Sequence, residues 1–294
     1  ELQLEAHRQG MARAETATPF ITLGFAAGDA GEFEEAEHAL QTAINLRPDY
    51  YRSHHALGYL YCRMNRFDAA ANEFRDATRA APENQETHIN LGAVLYYQDR
   101  REEAATAFEN ALALGPHPLA YSNLGGLYFE EARFGDAADM FEEAVALVDE
   151  DIPTDQYYLV GNLASAQYWS GERDRARANY ELAIELAESF LEEEPNNHSV
   201  MADVAGYCGM IGDQARGDEL MAIVARQEIQ DPFFMGTIAE SYEDLGQRDR
   251  ALEWIGKAFE SGLSVDWIER RPSFNSLRNE ARYRELVQQS TNRD

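Results

Sequence analysis

The sequence predicts an all-α fold that is built from stacked pairs of helices. A leucine followed by a glycine recurs at Leu23-Gly24, Leu57-Gly58, Leu91-Gly92 and Leu124-Gly125, which gives successive steps of 34, 34 and 33 residues. A period of this size, with small and large residues at fixed offsets, is typical of helical repeats. A single pair of helices cannot bury its own apolar face, so several pairs must stack on one another.

Each period contains two amphipathic segments separated by a short polar turn. In the second period, Leu57 and Tyr61 lie on one stripe of the first segment, and Ala70 and Phe74 lie on one stripe of the second. A proline then ends each second segment, because it cannot continue a helix. These prolines are Pro48, Pro82 and Pro116.

The recurring glycines indicate close helix–helix approach, because glycine inside a helix costs about 1 kcal/mol relative to alanine. We expect Gly58 to face Ala70 where the two helices cross. On this interpretation, Gly92 tolerates alanine but not leucine.

The repeated residues resemble the tetratricopeptide repeat (TPR). The resemblance implies antiparallel helices in a right-handed superhelical solenoid of about seven units, closed by a C-terminal helical cap. The step from Leu124 to Leu163 is 39 residues, which suggests a joint in the array. The expected segments are an N-terminal helix left from a preceding repeat (1–18), four regular units (19–148), an acidic joint (149–153), three less regular units (154–262) and capping helices (263–294).

The C-terminal segment shows a second, narrower resemblance. Its motifs are Asp266-Trp267-Ile268, Arg271-Pro272-Ser273-Phe274, Leu277-Arg278 and Arg282-Tyr283-Arg284-Glu285-Leu286. They resemble the segment that follows TPR arrays in bacterial serine/threonine protein kinases and adenylate cyclases, although Ala281 stands where that group usually has proline. The resemblance implies a recruiting or sensory part of a bacterial signalling protein.

The chain is strongly acidic, with a formal charge of −28 over 294 residues. This charge disfavours nucleic acid and anionic lipid as partners. Lys257 is the only lysine, and an acidic excess with few lysines favours a halophilic bacterial origin. Two interpretations of the carboxylates on the second helices stay open: a solvated surface, or electrostatic recruitment of a basic ligand.

The compartment is not fixed by the sequence. No apolar run is long enough to span a membrane, and the chain starts at Glu1 without methionine, so we expect a piece of a longer protein. A cytoplasmic location is favoured, and an extracytoplasmic one is open if a membrane span lies upstream. Cys62 and Cys208 fall in different units, so we expect two reduced thiols.

No catalytic residues, cofactor or metal site are expected from the motifs. His54 and His88 occupy equivalent positions in neighbouring repeats, which favours a packing role. Adjacent residues on a helix point about 100° apart, so His54 and His55 are poorly placed to share a metal ion. The chain is therefore expected to be a binding module and not an enzyme.

The candidate site is a peptide-binding groove on the first helices. Asn90, Asn123 and Asn162 each precede the leucine of their unit, so stacking predicts a row on the concave face. In the family, such asparagines hold the backbone of an extended peptide, because an amide both donates and accepts hydrogen bonds. The alternative is that each asparagine braces its own repeat. The aromatic candidates, some of which can instead be core residues, are Tyr59, Tyr97, Phe129, Tyr168 and Trp169.

The sequence thus predicts a scaffold that binds a protein or an extended peptide. The alternative is a structural module that self-associates, for example as a homodimer, through a protruding helix at 173–194 or through the C-terminal cap, and so brings attached catalytic domains together. We expect that helix to protrude because it runs about two turns beyond its counterparts.

Overall fold

Every regular element in residues 16–148 and 153–291, the part of the chain that the computed structural model describes, is helical. This confirms the predicted all-α fold class. Contacts divide the chain into two compact units between Leu124 and Gly125. The expected N-terminal helix (1–18) and acidic joint (149–153) lie almost wholly outside the described residues.

The first unit consists of consecutive antiparallel pairs, in which each helix of about 13 residues is followed by a helix of about 14. Its helices are α1 (Ala17–Asp29), α2 (Phe33–Leu46), α3 (Tyr51–Arg63), α4 (Phe67–Ala80), α5 (Gln85–Tyr97) and α6 (Arg101–Leu114), and α7 (Pro118–Glu130) crosses the division. Alanines, leucines and Phe74 form a continuous core across α1 to α5.

The second unit continues the alternation with helices of more varied length. It contains α8 (Phe134–Leu147), α9 (Pro153–Ser170), α10 (Arg173–Glu193), α11 (His198–Ile211), α12 (Gln214–Val224), α13 (Pro232–Asp244), α14 (Arg248–Glu260), α15 (Val265–Glu269), two 3₁₀ turns (Pro272–Phe274 and Leu277–Asn279) and α16 (Ala281–Thr291). Seven helix pairs therefore lie in the described residues from Ala17 to Glu260.

The turn between the two helices of each pair contains one residue with a positive φ, in the left-handed backbone conformation. Asn65, Asp99 and Ala132 have φ values of 56°, 58° and 58°. Glycines take the corresponding positions in the other four pairs: Gly31, Gly171, Gly212 and Gly246. Glycine, asparagine and aspartate adopt this conformation at low cost, but alanine does not. Ala132 is therefore the strained member of the series.

Three glycines of the first helices lie closest to an aromatic ring of the second helix: Gly58, Gly92 and Gly125. A Cβ on Gly58 would lie 2.9 Å from Cε1 of Phe74, and a Cβ on Gly92 would lie 2.5 Å from Cε1 of Phe108. The nearest side chain to Gly58 is thus Phe74 and not the expected Ala70, and the short distances at Gly92 argue against the expected tolerance of alanine there. The phenylalanine one turn beyond the alanine is the group that requires a glycine.

The extra turns of α10 do not protrude as a free end, contrary to the expectation from its length. The preceding helix α9 is also long, and the Tyr157 ring on α9 stacks against Phe190 at 6.5 Å. Ala187, in the same part of α10, is fully buried. The extra length is therefore packed within the unit.

The C-terminal motifs form a packed cap on the last helix pair. Phe274 and Leu277, from the two 3₁₀ turns, are fully buried in the same core as Tyr242 and Ile255. None of the described helices is long and apolar enough to cross a bilayer.

Candidate protein-binding surface

The three predicted asparagines lie on first helices, and each is partly buried. Asn90, on α5, donates a hydrogen bond from Nδ2 to Nε2 of His55 at 2.7 Å. Burial lowers the pKa of His55, so the imidazole is neutral near pH 7 and its Nε2 accepts. Asn90 therefore ties α5 to α3, the first helix of the preceding repeat, so it braces two neighbouring repeats and not its own repeat.

Asn123 and Asn162 are divided between the two units. Asn123 lies on α7 just before the division, and Asn162 lies on α9. Within the first unit, Asn90 and Asn123 occupy equivalent positions of successive first helices. A row that continues through Asn162 stays a prediction.

Two aromatic candidates in the first unit are strongly exposed. The side chain of Tyr59 is 49% exposed and lies 6.3 Å from the ring of Phe25, its counterpart one repeat earlier. Tyr97 is 69% exposed, and its ring is nearly parallel to that of Phe67, at 5.7 Å. Exposed aromatic side chains of this kind are common at protein interfaces.

The aromatic candidates of the second unit form a connected group. The Phe134 ring lies 5.3 Å from Phe129 and 6.0 Å from Trp169, and Tyr168 meets Trp169 edge-on at 5.6 Å. Phe129 packs against the buried core around Phe141. Phe129 is therefore mainly a packing residue, whereas the other two lie at the edge of the core.

Sequence reasoning missed Asp203 on α11. The residue is partly buried, and the hydroxyl of Tyr157 donates to its Oδ2 at a long 3.4 Å. Burial raises the pKa of Asp203 to about 7, against the opposing effect of that hydrogen bond, and Glu240 raises it further. Burial is the largest of these influences, so the carboxylate is held in the fold at an energetic cost.

A register signal could have identified Asp203. It precedes Val204-Ala205 as Asn162 precedes Leu163-Ala164, so it occupies the asparagine position of the sixth pair. Aspartate has the same shape as asparagine but carries a negative charge.

Asp244 and Tyr207 extend the polar region around Asp203. Burial, together with Glu240 and Glu243, raises the pKa of Asp244 well above its ordinary value. The hydroxyl of Tyr207 lies directly over Gly161 of α9, where a side chain would leave no room for it. Glycine at 161 is thus needed to seat this tyrosine between α9 and α11.

Glu240 differs from its neighbours, because it has basic and hydroxyl partners. Arg271 donates from Nε to Glu240 at 3.1 Å, and the Ser273 hydroxyl donates at 2.9 Å. Arg271 and Ser273 of the C-terminal cap therefore provide the Glu240 carboxylate with a cationic partner and a hydrogen-bond donor. Asp203 and Asp244 remain the carboxylates of this region whose pKa values are raised.

The comparisons with known proteins identify the repeat. One tetratricopeptide-repeat family model matches residues 29–88, and a second matches residues 89–152. No curated protein sequence matches the chain.

Solved structures of repeat proteins share the fold at low identity. A tetratricopeptide repeat protein from Parabacteroides merdae ATCC 43184 is 16% identical, with a TM-score of 0.64 over 95% of this chain and 100% of its own. The MamA protein is 21% identical, with a TM-score of 0.52 over 60% of this chain and 95% of its own. The APC/C hetero-tetramer Cut9-Hcn1 is 15% identical, with a TM-score of 0.59 over 92% of this chain and 48% of its own. These likenesses concern the fold alone.

Proposed function

The chain is a tetratricopeptide-repeat array, a fold that serves as a scaffold for protein–protein interaction, and from this premise we propose that it binds an extended segment of a partner protein along its first helices. The proposed contacts are backbone hydrogen bonds from Asn123 and Asn162 and aromatic packing from Tyr59, Tyr97, Tyr168 and Trp169. We propose no catalytic role for the chain.

We further propose that the bound segment carries a basic side chain that contacts Asp203. The observation behind this is that Asp203 is kept partly buried with a raised pKa, at the asparagine position of its repeat. A lysine or arginine of the ligand would supply the missing positive charge and form a charge-assisted hydrogen bond. Tyr157 and Tyr158 are nearby aromatic groups on α9, and the Tyr158 side chain is 53% exposed.

This proposal favours one of the two interpretations of the acidic charge. The carboxylates on the second helices are consistent with a solvated, salt-adapted surface, whereas Asp203 and Asp244 lie on first helices and are suited to recruitment of a basic ligand. The alternative of self-association loses its main support, because the extra turns of α10 are packed against α9. A signalling role beside a kinase or cyclase domain stays a proposal that rests on the C-terminal motifs.

Peptide selection on the wild-type chain tests the proposed function. Binders selected from a random display library should be enriched in lysine and arginine. The best binder should then lose about tenfold in affinity for Asp203→Asn, as expected for a lost charge-assisted hydrogen bond. The matched control is Asp249→Asn, which removes the same charge from an exposed position on α14.

The outcome separates the alternatives. Basic peptides that bind Asp203→Asn with wild-type affinity would contradict the proposed contact with Asp203. Selected peptides without basic residues would contradict the proposed class of ligand. Light scattering over a concentration series, without peptide, would show a rising mass only if the chain self-associates.

A further inference from the structure

A cluster of potential metal ligands lies in the second helix pair. It consists of His54 on α3 and of Glu73 and Asp76 on α4, and one ligand atom from each lies within 4.8 Å of the others. Glu73 and Asp76 are three residues apart, so both project from one face of α4. His54 lies 19 residues before Glu73, so no motif spacing indicated the cluster.

The orientation of His54 is fixed by a backbone contact. Its Nε2 lies 2.9 Å from the carbonyl oxygen of Pro48. Because a carbonyl oxygen only accepts, Nε2 must carry the hydrogen. This leaves Nδ1 to face Oε2 of Glu73 at 2.8 Å. Without an ion, Nδ1 donates a second hydrogen to that carboxylate, and metal binding at Nδ1 releases this proton. The contact of Nε2–H with a backbone carbonyl is the outer contact that metal-binding histidines commonly make.

The neighbouring repeat shows that the contact between histidine and the proline carbonyl does not require carboxylates like those of Glu73 and Asp76. His88 makes the same contact, from Nε2 to the carbonyl oxygen of Pro82 at 2.9 Å. One period of 34 residues after Glu73 and Asp76, however, the chain has Ala107 and Asn110. The histidine–proline contact thus forms without an acidic partner, and the pair Glu73 and Asp76 is an addition specific to the second repeat.

We propose that Nδ1 of His54 and the carboxylates of Glu73 and Asp76 bind one divalent transition-metal ion of the Zn²⁺ type. Imidazole and carboxylate are ligands that Zn²⁺ accepts at about 2.0–2.2 Å. Two ligands on a tetrahedral ion are then separated by about 3.3 Å, so Glu73 needs to withdraw by only about half an ångström. Three protein ligands leave a fourth position to water.

Metal binding would replace two existing ion pairs. Glu73 pairs with His54, and Asp76 pairs with the exposed Arg79. The Arg79 side chain is 78% exposed, so it can move into solvent when the ion binds. The ion would then link α3 to α4 beside the loop that contains Pro48.

Zinc titration of the untagged chain, first dialysed against chelator, tests this site. We expect calorimetry to show one Zn²⁺ bound per chain. This binding should persist in excess Mg²⁺, which is added to compete with weak binding of Zn²⁺ to the acidic surface. Glu73→Gln, which keeps the size of the side chain and leaves the His54 contact with Pro48, should weaken zinc binding by about tenfold or more. The control His88→Gln disturbs the equivalent contact in the next repeat and should leave zinc affinity unchanged.

Three results would overturn the site. They are zinc binding that is displaced by Mg²⁺, equal affinity of the wild type and Glu73→Gln, and equal losses in Glu73→Gln and His88→Gln. Circular dichroism of each variant without metal checks that the chain remains folded. If Glu73→Gln does not fold, Asp76→Asn provides the same test from the second carboxylate.

Discussion

The ring of Phe108 occupies the space that a side chain at position 92 would need. Its Cε1 atom lies 2.5 Å from where a Cβ on Gly92 would stand, and its Cδ1 atom lies 2.7 Å away. The ring is almost completely buried, so it has little freedom to move aside. The same pairing recurs between Gly58 and Phe74 and between Gly125 and Phe141.

Gly92→Ala should therefore destabilise the protein, and Gly92→Leu should destabilise it more. Overpacking of a core costs about 1–3 kcal/mol, which outweighs the gain of about 1 kcal/mol from replacing a helical glycine. Urea unfolding followed by circular dichroism measures the change. The control is Gly126→Ala on α7, where no atom lies within 4 Å of the added Cβ, and where stability should rise. A wild-type midpoint for Gly92→Leu would contradict the packing.

Ala132→Gly should stabilise the protein. Ala132 has φ at 58°, and this left-handed conformation costs a residue with a Cβ about 1 kcal/mol. The reciprocal change is Gly246→Ala, at the corresponding turn of a later pair, where φ is 69° and no atom lies within 4 Å. Thermal melts should move in opposite directions for the two variants, and a loss of stability in Ala132→Gly would be inconsistent with the assigned turn.

Much of the fold follows from the sequence, because the repeat places the same residue types at the same structural positions. The period predicted the helix pairs, and the prolines after α2, α4 and α6 predicted where second helices end. The partner of the glycines was missed, because Ala70 and Phe74 lie on the same face of α4 and periodicity alone does not say which one reaches Gly58.

The candidate site was less predictable for a different reason. The asparagine row is a register argument, but the hydrogen bond from Asn90 to His55 depends on side-chain geometry between two helices. The cost of holding Asp203 depends on its desolvation by neighbouring helices. Neither property is visible in residue spacing.

Asp203→Asn should raise stability at neutral and alkaline pH. The folded-state pKa of Asp203 is about 7, whereas its unfolded value is about 4. The folded state therefore holds the proton more tightly, and the contribution of Asp203 to stability falls as pH rises from about 4 to about 7. The groups around it are Tyr157 from α9, Tyr207 from α11 and Glu240 from α13.

Melting temperatures across a pH series check this prediction. The difference between Asp203→Asn and wild type should be small near pH 4, grow through pH 7 and then level off. Asp249→Asn, which removes an exposed charge, should show no such step. A difference that is the same at every pH would mean that the carboxylate is not desolvated in the fold.

Salt should stabilise the chain through charge screening. The formal charge of −28 implies net repulsion among carboxylates, and the screening length falls from about 10 Å at 0.1 M salt to about 3 Å at 1 M. The melting temperature should therefore rise between about 0.1 M and about 2 M sodium chloride, most steeply in the lower part of that range. A flat or falling curve would remove the support for salt adaptation.

The two roles of the asparagine row predict different results for different members. Asn90→Ala should lower the free energy of unfolding by about 0.5–1.5 kcal/mol, because His55 loses its hydrogen-bond donor. The double variant Asn123→Ala/Asn162→Ala should unfold like wild type if these side chains serve the ligand. Urea unfolding of both variants distinguishes a brace from a contact residue.

Calorimetric titration of the best selected peptide into the wild type and into Asn123→Ala/Asn162→Ala tests the central claim most directly. Each amide that grips a peptide group contributes two hydrogen bonds of about 0.5–1.5 kcal/mol, so the double variant should bind about thirtyfold more weakly or worse. A folded double variant with the affinity of wild type would contradict the claim that these first helices hold the backbone of an extended partner.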